Sequence, residues 1–349
     1  MAYTTIDNPE LYFQTKLYTG DGNSGTSITL DGSENMQPDW IWGGCRSDAD
    51  NKWLSDSVRG NTKAIFSNTK GAEETSSERI KSFDSDGFTI GNAGDTNTSS
   101  RTFVTWNWKA GGSASNNTDG STTSSVSNNS TAKFSIGTYT GTSSAATIGH
   151  GLGAAPGIII VKNRSSGTRD WAVYHRNLSG TNKYLKFNES VVEQTDSATW
   201  NNTTPTSSVF ASAGSGEVNQ GSENFVFYAF TDVKGYSKFS KYVGNGDSSD
   251  GTFVYTGFRP SFILYKNTMT ADSWFVHDNK RQGFNDQNEL MFGDITQAES
   301  TVDRIRILSN GFKALDSDKG VNKSGDIYVY MAFAESPFVN SNGVPTNAR

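Results

Sequence analysis

Three histidines, His150, His175 and His277, are the first side chains to consider for acid–base chemistry in this chain. Arg176 follows His175 and Asp278 follows His277, so two of them have a charged neighbour. A histidine base needs a nucleophile and an orienting group within hydrogen-bond distance. No GxSxG or comparable nucleophile motif accompanies these residues. The sequence therefore favours structural histidines in a polar network, and we expect no catalytic residue and no enzymatic activity.

Acidic residues offer two other kinds of chemistry. A glycan hydrolase needs two carboxylates about 5 to 10 Å apart, but among 36 acidic residues such a pair arises by chance. Acidic turns at 84–86, 247–250 and 316–318 could supply calcium ligands, yet none continues into an EF-hand loop. We expect ordinary Asx-turns there. The single cysteine, Cys45, lies outside any Cys/His cluster, so we expect no metal and no cofactor.

Aromatic side chains could bind sugars by stacking, if they are exposed. Most tryptophans fall at strand-like positions and are expected in the core. Trp200 differs, because it lies with Asn201 and Asn202 in a long polar stretch. It is either a lid over its own sheet, which burial statistics favour, or an exposed binding platform. Trp200, Asn201 and Asn202 are therefore the candidate surface-binding residues.

The composition predicts an all-β protein. Aromatic residues are plentiful at 12%, while Gly, Ser, Thr and Asn separate them, so burial rests on large rings and β-branched residues that favour strands. The net charge of -6 is spread along the chain without a basic run, which argues against a nucleic-acid partner. No stretch of eighteen apolar residues and no secretion signal occurs, so we expect no membrane insertion.

The elements that must position any site occur as a repeat of about 100 residues, present three times. Each copy opens on Tyr-x-Gly, at Tyr18, Tyr139 and Tyr242. A proline and a short apolar strand follow, at Pro38, Pro156 and Pro260, and then a tryptophan, at Trp53, Trp171 and Trp274. Each copy closes on an asparagine and an aromatic strand, at Asn97, Asn219 and Asn322. Short strands with frequent turn signals predict antiparallel sandwiches.

The expected architecture is therefore three tandem antiparallel β-sandwich-like repeats. The predicted division is an N-terminal anchor at 1–16, β repeats at 17–110, 133–231 and 238–336, a Gly/Ser/Asn/Thr-rich linker at 111–132 and a C-terminal tail at 337–349. The linker is almost free of apolar residues, which is typical of a flexible or draped connector. We expect the first copy to be offset from the other two, which are joined by a short connection.

Several stretches of the repeat resemble structural proteins of tailed marine bacteriophages, which are usually described as tail fibre or virion structural proteins. The stretches are Tyr242–Gly246, Asp250–Pro260, Leu308–Lys313, Tyr328–Glu335, His150–Pro156 and Asp56–Gly60. The resemblance covers nearly the whole chain and brings no catalytic residues with it. It implies an appendage on the exterior of a virion that assembles in the host cytoplasm.

The sequence thus predicts a virion structural protein, either a tail fibre or a tail-associated appendage that contacts the host surface. Its expected partners are other tail or capsid proteins, a host glycan or outer-membrane protein, and further copies of the chain, by analogy a homotrimer. A capsid decoration or knob protein is the alternative, and an envelope-polysaccharide hydrolase is a third. No heptad run indicates a coiled-coil shaft, which favours a compact appendage.

Overall fold

The computed structural model describes residues 3–281 and 286–346. Within these ranges the chain forms antiparallel β-sheets joined by turns, and the only helical pieces are a 3₁₀ turn at Pro9–Leu11 and the short helix α1 at Gly94–Asn97. The prediction of an all-β, antiparallel protein is therefore confirmed. No helix of the described ranges has the length and apolar character needed to cross a membrane.

Residues 13–108, which we call segment I, contain nine strands. They are β1 (Phe13–Thr19), β2 (Thr26–Thr29), β3 (Trp40–Cys45), β4 (Trp53–Asp56), β5 (Lys63–Phe66), β6 (Glu74–Thr75), β7 (Ile80–Asp84), β8 (Gly87–Ile90) and β9 (Thr102–Trp108). One sheet has the order β1-β9-β3-β4-β5-β6, and a second sheet has the order β2-β8-β7.

Residues 115–230, segment II, contain ten strands. They are β10 (Ser115–Asn117), β11 (Ser124–Asn129), β12 (Phe134–Thr140), β13 (Ala146–Gly149), β14 (Ile158–Asn163), β15 (Ala172–His175), β16 (Lys183–Lys186), β17 (Gln194–Thr195), β18 (Val209–Ser212) and β19 (Asn224–Phe230). The main sheet has the order β10-β11-β12-β19-β14-β15-β16-β17, and β13 pairs with β18.

Residues 237–337, segment III, contain eight strands. They are β20 (Ser237–Val243), β21 (Phe253–Tyr255), β22 (Phe258–Asn267), β23 (Phe275–Asp278), β24 (Asp286–Phe292), β25 (Ser300–Leu308), β26 (Gly311–Ala314) and β27 (Ile327–Pro337). They form one sheet, β20-β27-β22-β23-β24-β25-β26-β21. Its edge strands are bridged by side chains, since Lys238 Nζ donates to the Tyr255 carbonyl oxygen and Thr252 Oγ1 donates to that of Val243.

Residues 111–132, where the composition predicts a linker, contain β10 and β11. Both strands extend the main sheet of segment II, so this polar stretch lies along that sheet. The predicted anchor, residues 1–16, contains the first four residues of β1. Ile6 and Phe13 are buried in the central core, and β1 pairs with β9 along its whole length.

Two layers of core hold the molecule together. Each segment has a core of its own, centred on Phe88 in segment I, Phe210 in segment II and Phe312 in segment III. The opposite faces of the three main sheets meet in one central core that draws residues from all three segments. The expected offset of the first copy is therefore wrong, because burying this shared apolar face requires all three sheets at once.

Three rings mark the middle of the central core. Trp108, Phe230 and Phe333 each lie near the end of the last strand of their main sheet, opposite Trp40, Ile158 and Phe262 respectively. Their centroids are 6.4, 5.6 and 5.7 Å apart, pairwise, and all three pairs are edge-to-face. This is the favoured geometry for aromatic pairs, and it brings the three sheets to one point.

Backbone hydrogen bonds link the segments in a closed cycle. The Glu73 amide of segment I donates to the Arg164 carbonyl oxygen of segment II at 2.9 Å. The Glu193 amide of segment II donates to the Thr268 carbonyl oxygen of segment III at 3.0 Å. The Glu299 amide of segment III donates to the Arg46 carbonyl oxygen of segment I at 2.9 Å. Each segment therefore contacts both others through the same kind of bond.

The Tyr-x-Gly and Asn landmarks have a common structural cause. The asparagine side chains at 97, 219 and 322 are fully buried, and each accepts the amide that follows the motif glycine. A Cβ on Gly20, Gly141 or Gly244 would lie 2.1 to 2.3 Å from a carbonyl oxygen just beyond the asparagine. Only glycine fits so close an approach, which explains the fixed order of the landmarks.

Candidate functional site

Trp200 lies inside the molecule. Its side chain is 1% exposed, and its ring packs edge-to-face against Tyr174 and Phe210, with centroids 5.8 and 6.2 Å away. The interpretation of Trp200 as an exposed platform is therefore wrong, because the ring completes the core of segment II as a lid. Asn201 and Asn202 are exposed at positive φ angles of 50° and 49°, and surface binding through them stays a prediction.

The three histidines are buried. His150 and His175 bond to backbone carbonyl oxygens, and His277 Nε2 lies 3.3 Å from the Tyr265 hydroxyl. The Nε2 atom of His150 lies 3.1 Å from the Thr206 carbonyl oxygen, and that of His175 lies 3.3 Å from the Tyr330 carbonyl oxygen. Burial lowers the pKa of all three, that of His175 to about 3. They are neutral structural groups in a polar network at neutral pH.

Two of the three acidic turns, at 247–250 and 316–318, are Asx-turns as predicted. In the turn at 84–86, Asp84 accepts from Thr89 Oγ1 and Asp86 accepts the Met36 amide instead. Asp247 accepts the amides of Ser249 and Asp250, and Asp316 accepts the amide of Asp318. Side-chain oxygens that bond their own backbone in this way shape the turn. Across residues 3–281 and 286–346, no group of three or more His, Cys, Asp or Glu side chains is placed to hold a metal ion.

The outward face of β21 differs from the corresponding faces of the other two segments. Strand β21 pairs Tyr255 with Gly311, as β2 pairs Thr29 with Gly87 and β13 pairs Gly149 with Val209. Side chains alternate along a strand, so the outward pairs are Phe253 and Tyr255 on β21, Ser27 and Thr29 on β2, and Thr147 and Gly149 on β13. The same place in the fold thus carries two rings in one segment and small or polar residues in the others.

Both rings of β21 are half exposed. Phe253 is 48% and Tyr255 is 49% exposed, and Val243 beside them is 51% exposed. Every exposed large hydrophobic side chain of the described ranges lies in segment III or after it. Exposed apolar groups that cluster in one region mark an interaction site more often than scattered ones do.

On β13 the corresponding position is covered by the chain itself. Ser124 Oγ donates to the Gly149 carbonyl oxygen, and the Ser121 amide donates to Thr147 Oγ1. A Cβ on Gly149 would lie 1.6 Å from Asn117 Oδ1. The polar stretch before β12 therefore closes this place in segment II, whereas β21 stays open.

A groove beside Tyr255 combines rings and cations, and we call it the tyrosine–lysine groove: Tyr3, Lys234, Lys238 and Tyr255. It opens into a surface cavity of about 580 Å³. The two tyrosine hydroxyl oxygens are 3.4 Å apart, and Tyr3 donates to the Gly257 carbonyl oxygen at 2.8 Å. Gly257 has a φ of +86°, a conformation that glycine adopts without strain.

Two lysines lie against the rings of the groove. Lys234 Nζ is 4.3 Å from the centroid of Tyr3, and Lys238 Nζ is 5.3 Å from that of Tyr255. The pKa of Tyr3 is raised, first by burial and then by its contact with Tyr255, so its hydroxyl keeps its proton at neutral pH. The groove thus presents ring faces, hydroxyls and ammonium groups, which suit binding.

The carboxylate of the groove is already neutralised. Asp232 pairs with Arg176 and accepts the Phe239 amide at 2.8 Å. Neither Lys234 nor Lys238 forms an ion pair with any carboxylate of the described residues. The groove is therefore locally cationic, although the chain as a whole has a net charge of -6.

Sequence reasoning did not select this groove. The stretch Thr252–Gly257 shows the signal, since two rings flank Val254 on an alternating strand. A comparison with the corresponding strands of segments I and II would have singled these positions out. Tyr3 gave no signal, because its approach to Tyr255 spans 252 residues.

Comparison with known proteins places the chain in a family without assigning it an activity. No curated protein and no solved structure matches it. One family profile matches residues 8–337, from the 3₁₀ turn to the end of β27. The chain therefore belongs to the family described as Domain of unknown function (DUF7483).

Proposed function

We propose that this chain is a structural protein of a bacteriophage virion, a tail fibre or tail-associated appendage on the particle exterior. The resemblance of its repeat to virion structural proteins supports this assignment. In the proposed role the shared central core supplies a rigid body, and segment III contacts the host cell surface.

The observation that carries the attachment role is the outward face of β21. Phe253 and Tyr255 are half exposed where the other segments carry Ser27, Thr29 and Thr147. Exposing two rings costs free energy, because their apolar surface remains in water. A binding partner that covers them explains why only this segment keeps them.

The proposed role is non-enzymatic. Each histidine is at most 1% exposed and packed among protein groups, so none is accessible to a substrate. The exposed groups of the tyrosine–lysine groove are suited to hold a ligand, and Asp232, its carboxylate, is engaged with Arg176.

Binding of labelled protein to cells and to shells tests the proposal. We expect the protein to co-sediment with host cells, and the double variant Phe253→Ser, Tyr255→Thr to lose at least about tenfold in affinity. The matched control, Ser27→Phe with Thr29→Tyr, is expected to leave binding unchanged. Binding to emptied capsid shells alone would replace the proposal with a decoration protein, and release of reducing sugar from host envelope would replace it with a hydrolase.

We also propose that segments I to III are copies of one β unit arranged about a pseudo-threefold axis. The matching strand orders β1-β9-β3-β4, β12-β19-β14-β15 and β20-β27-β22-β23, the Trp108–Phe230–Phe333 contacts and the cyclic backbone bonds support this. A single chain with this internal symmetry could match a position of threefold symmetry on the virion, so the proposal does not require a trimer of chains. A light-scattering mass of one chain is expected, and a mass of three chains would favour the homotrimer instead.

A further inference from the structure

We propose that the tyrosine–lysine groove binds an anionic saccharide, a sugar unit that carries a carboxylate or sulfate group. The inference rests on the proposed attachment function and specifies the class of ligand for the same surface. Four described groups carry it: the rings of Tyr3 and Tyr255 and the ammonium groups of Lys234 and Lys238.

The rings suit a sugar because they are exposed, rigid and amphipathic. Tyr255 is 49% exposed, and its hydroxyl lies 3.4 Å from that of Tyr3. Tyrosine offers a large contact area at low conformational cost, together with a polar tip that hydrogen-bonds. The adjoining cavity of about 580 Å³ falls within the range of small-molecule sites, about 300 to 1,000 Å³.

The lysines suit a negative charge because they are held in place without a counter-ion. Lys238 uses one proton for the Tyr255 carbonyl oxygen at 3.0 Å, which leaves two for a ligand. Lys234 lies over the Tyr3 ring at 4.3 Å. An unpaired cation fixed beside a ring is a site for an anionic group.

Charge density decides between a glycan and a nucleic acid. A nucleic acid requires several phosphate contacts for useful affinity, and the groove supplies two lysines in a chain with a net charge of -6. A saccharide with widely spaced charges needs only the local cations. An acidic peptide would use the lysines but gain nothing specific from the sugar-sized ring faces.

Oligogalacturonate and its methyl ester provide a matched pair of probes, because they share the sugar ring and differ in charge. By calorimetry at low salt we expect the acid form to bind at least about tenfold more tightly than the ester, and the difference to shrink at high salt. Lys234→Gln and Lys238→Gln are each expected to lose about fivefold for the acid form alone. Tyr255→Thr, which copies the residue of β2, is expected to weaken both probes.

Lys241→Gln is the control, since Lys241 is exposed on β20 but does not line the cavity. Equal affinity for acid and ester, an equal loss in Lys241→Gln, or equal competition by polyglutamate would overturn the anionic-saccharide assignment. Absence of binding to oligogalacturonate and to a sulfated galactan would overturn it too. Cell binding that is lost in Tyr255→Thr but unaffected by either lysine variant would retain the attachment function and reject only the ligand class.

Discussion

The three segments are alike in the contacts of their inward sides and differ in the residues of their outward sides. Inward, the same contacts recur: a ring near the end of each last strand and an amide–carbonyl bond at each interface. Outward, the second strand carries Ser27 and Thr29 in segment I but Phe253 and Tyr255 in segment III. All three segments contribute to the shared central core, whereas their outward faces are not held by these contacts and can differ, so the differing outward face is where function is sought.

The interior is not uniform in its side chains. At the I–II interface Arg59 pairs with Asp56 and Glu73, and Arg164 pairs with the same glutamate. Arg281, Asp278, Glu299 and Arg46 repeat this arrangement between III and I. Between II and III the corresponding residues are His175, Leu178, Glu193 and Thr268. Equal backbone contacts thus tolerate either a charged cluster or a mostly neutral one.

The largest expected effect comes from breaking one charged cluster. Arg59→Leu leaves the fully buried Asp56 carboxylate without its arginine, whereas Glu73 keeps Arg164. Removing one partner of a buried ion pair costs about 3–5 kcal/mol. Urea unfolding followed by tryptophan fluorescence measures this loss. A loss below about 1 kcal/mol would mean that the cluster contributes little beyond the backbone contacts.

Replacing the whole charged cluster of the I–II interface should lower the free energy of unfolding less than Arg59→Leu alone. Tyr228, whose hydroxyl donates to Asp56 Oδ2 at 2.7 Å, belongs to the same cluster and corresponds to Met331 of segment III, since each lies two residues before the matching Phe230 or Phe333. The variant Asp56→His, Arg59→Leu, Arg164→Thr, Tyr228→Met therefore gives the I–II interface the side chains of the II–III interface. Because no buried charge is left unpaired except the partly exposed Glu73, we expect a loss of about 2 kcal/mol relative to wild type. If this variant is as unstable as Arg59→Leu, the interfaces are not interchangeable.

The pH dependence of stability distinguishes the mostly neutral II–III interface, which contains His175, from the two charged interfaces. Burial lowers the pKa of His175 to about 3, so as pH falls below about 6.5 the unfolded chain binds a proton that the folded chain does not. Stability is therefore lost as pH falls. Relative to His175→Gln, wild type should lose about 1 kcal/mol between pH 7.5 and 5.5.

Urea midpoints for both proteins at each pH measure this difference. Burial raises the pKa of Asp294 to about 6, so this residue stabilises the folded chain as pH falls, opposite to His175. Subtracting the His175→Gln stability from the wild-type stability at each pH cancels the contribution of Asp294, which both proteins share. Parallel pH profiles for the two proteins would show that His175 does not carry the acid sensitivity.

The smallest stability effect is expected on the outward face. Phe253→Ser with Tyr255→Thr, and the reciprocal Ser27→Phe with Thr29→Tyr, alter exposed positions only. Both should stay within about 0.5 kcal/mol of wild type in urea unfolding. A loss above about 1 kcal/mol in the first variant would mean that the rings stabilise segment III, which would weaken the attachment proposal.

Part of this molecule was predictable from spacing. The Tyr-x-Gly and Asn landmarks marked real backbone constraints, because a glycine that touches a carbonyl oxygen and a buried asparagine must keep their positions. The burial of Trp200 was the favoured alternative on statistics alone. The Asx-turns at 247–250 and 316–318 followed from the local bonding of aspartate, which needs no tertiary information.

Sequence spacing gave a wrong correspondence between the segments at the tryptophan that precedes or opens β4, β15 and β23. Sequence order groups Trp53 with Trp171 and Trp274, but Trp53 pairs with Gly43, whereas Ala172 and Phe275 occupy its place in the other sheets. Lys52 therefore stands where the other segments carry tryptophan. A Cβ on Gly44 would lie 2.6 Å from Lys52 Cδ, so this lysine fills the space that Lys162 and Lys266 occupy from the neighbouring strand.

The sequence by itself determined the all-β class and the Asx-turns, because these depend on neighbours a few residues apart. It also displayed the order of the landmarks, although each asparagine meets its glycine motif across 76 or 77 residues. Only the tertiary structure decided that the three sheets share one core, that Lys52 replaces a lysine of the adjacent strand, and that Tyr3 meets Tyr255. Those contacts join residues up to 252 positions apart, and their formation depends on how sheets pack, which local patterns do not encode.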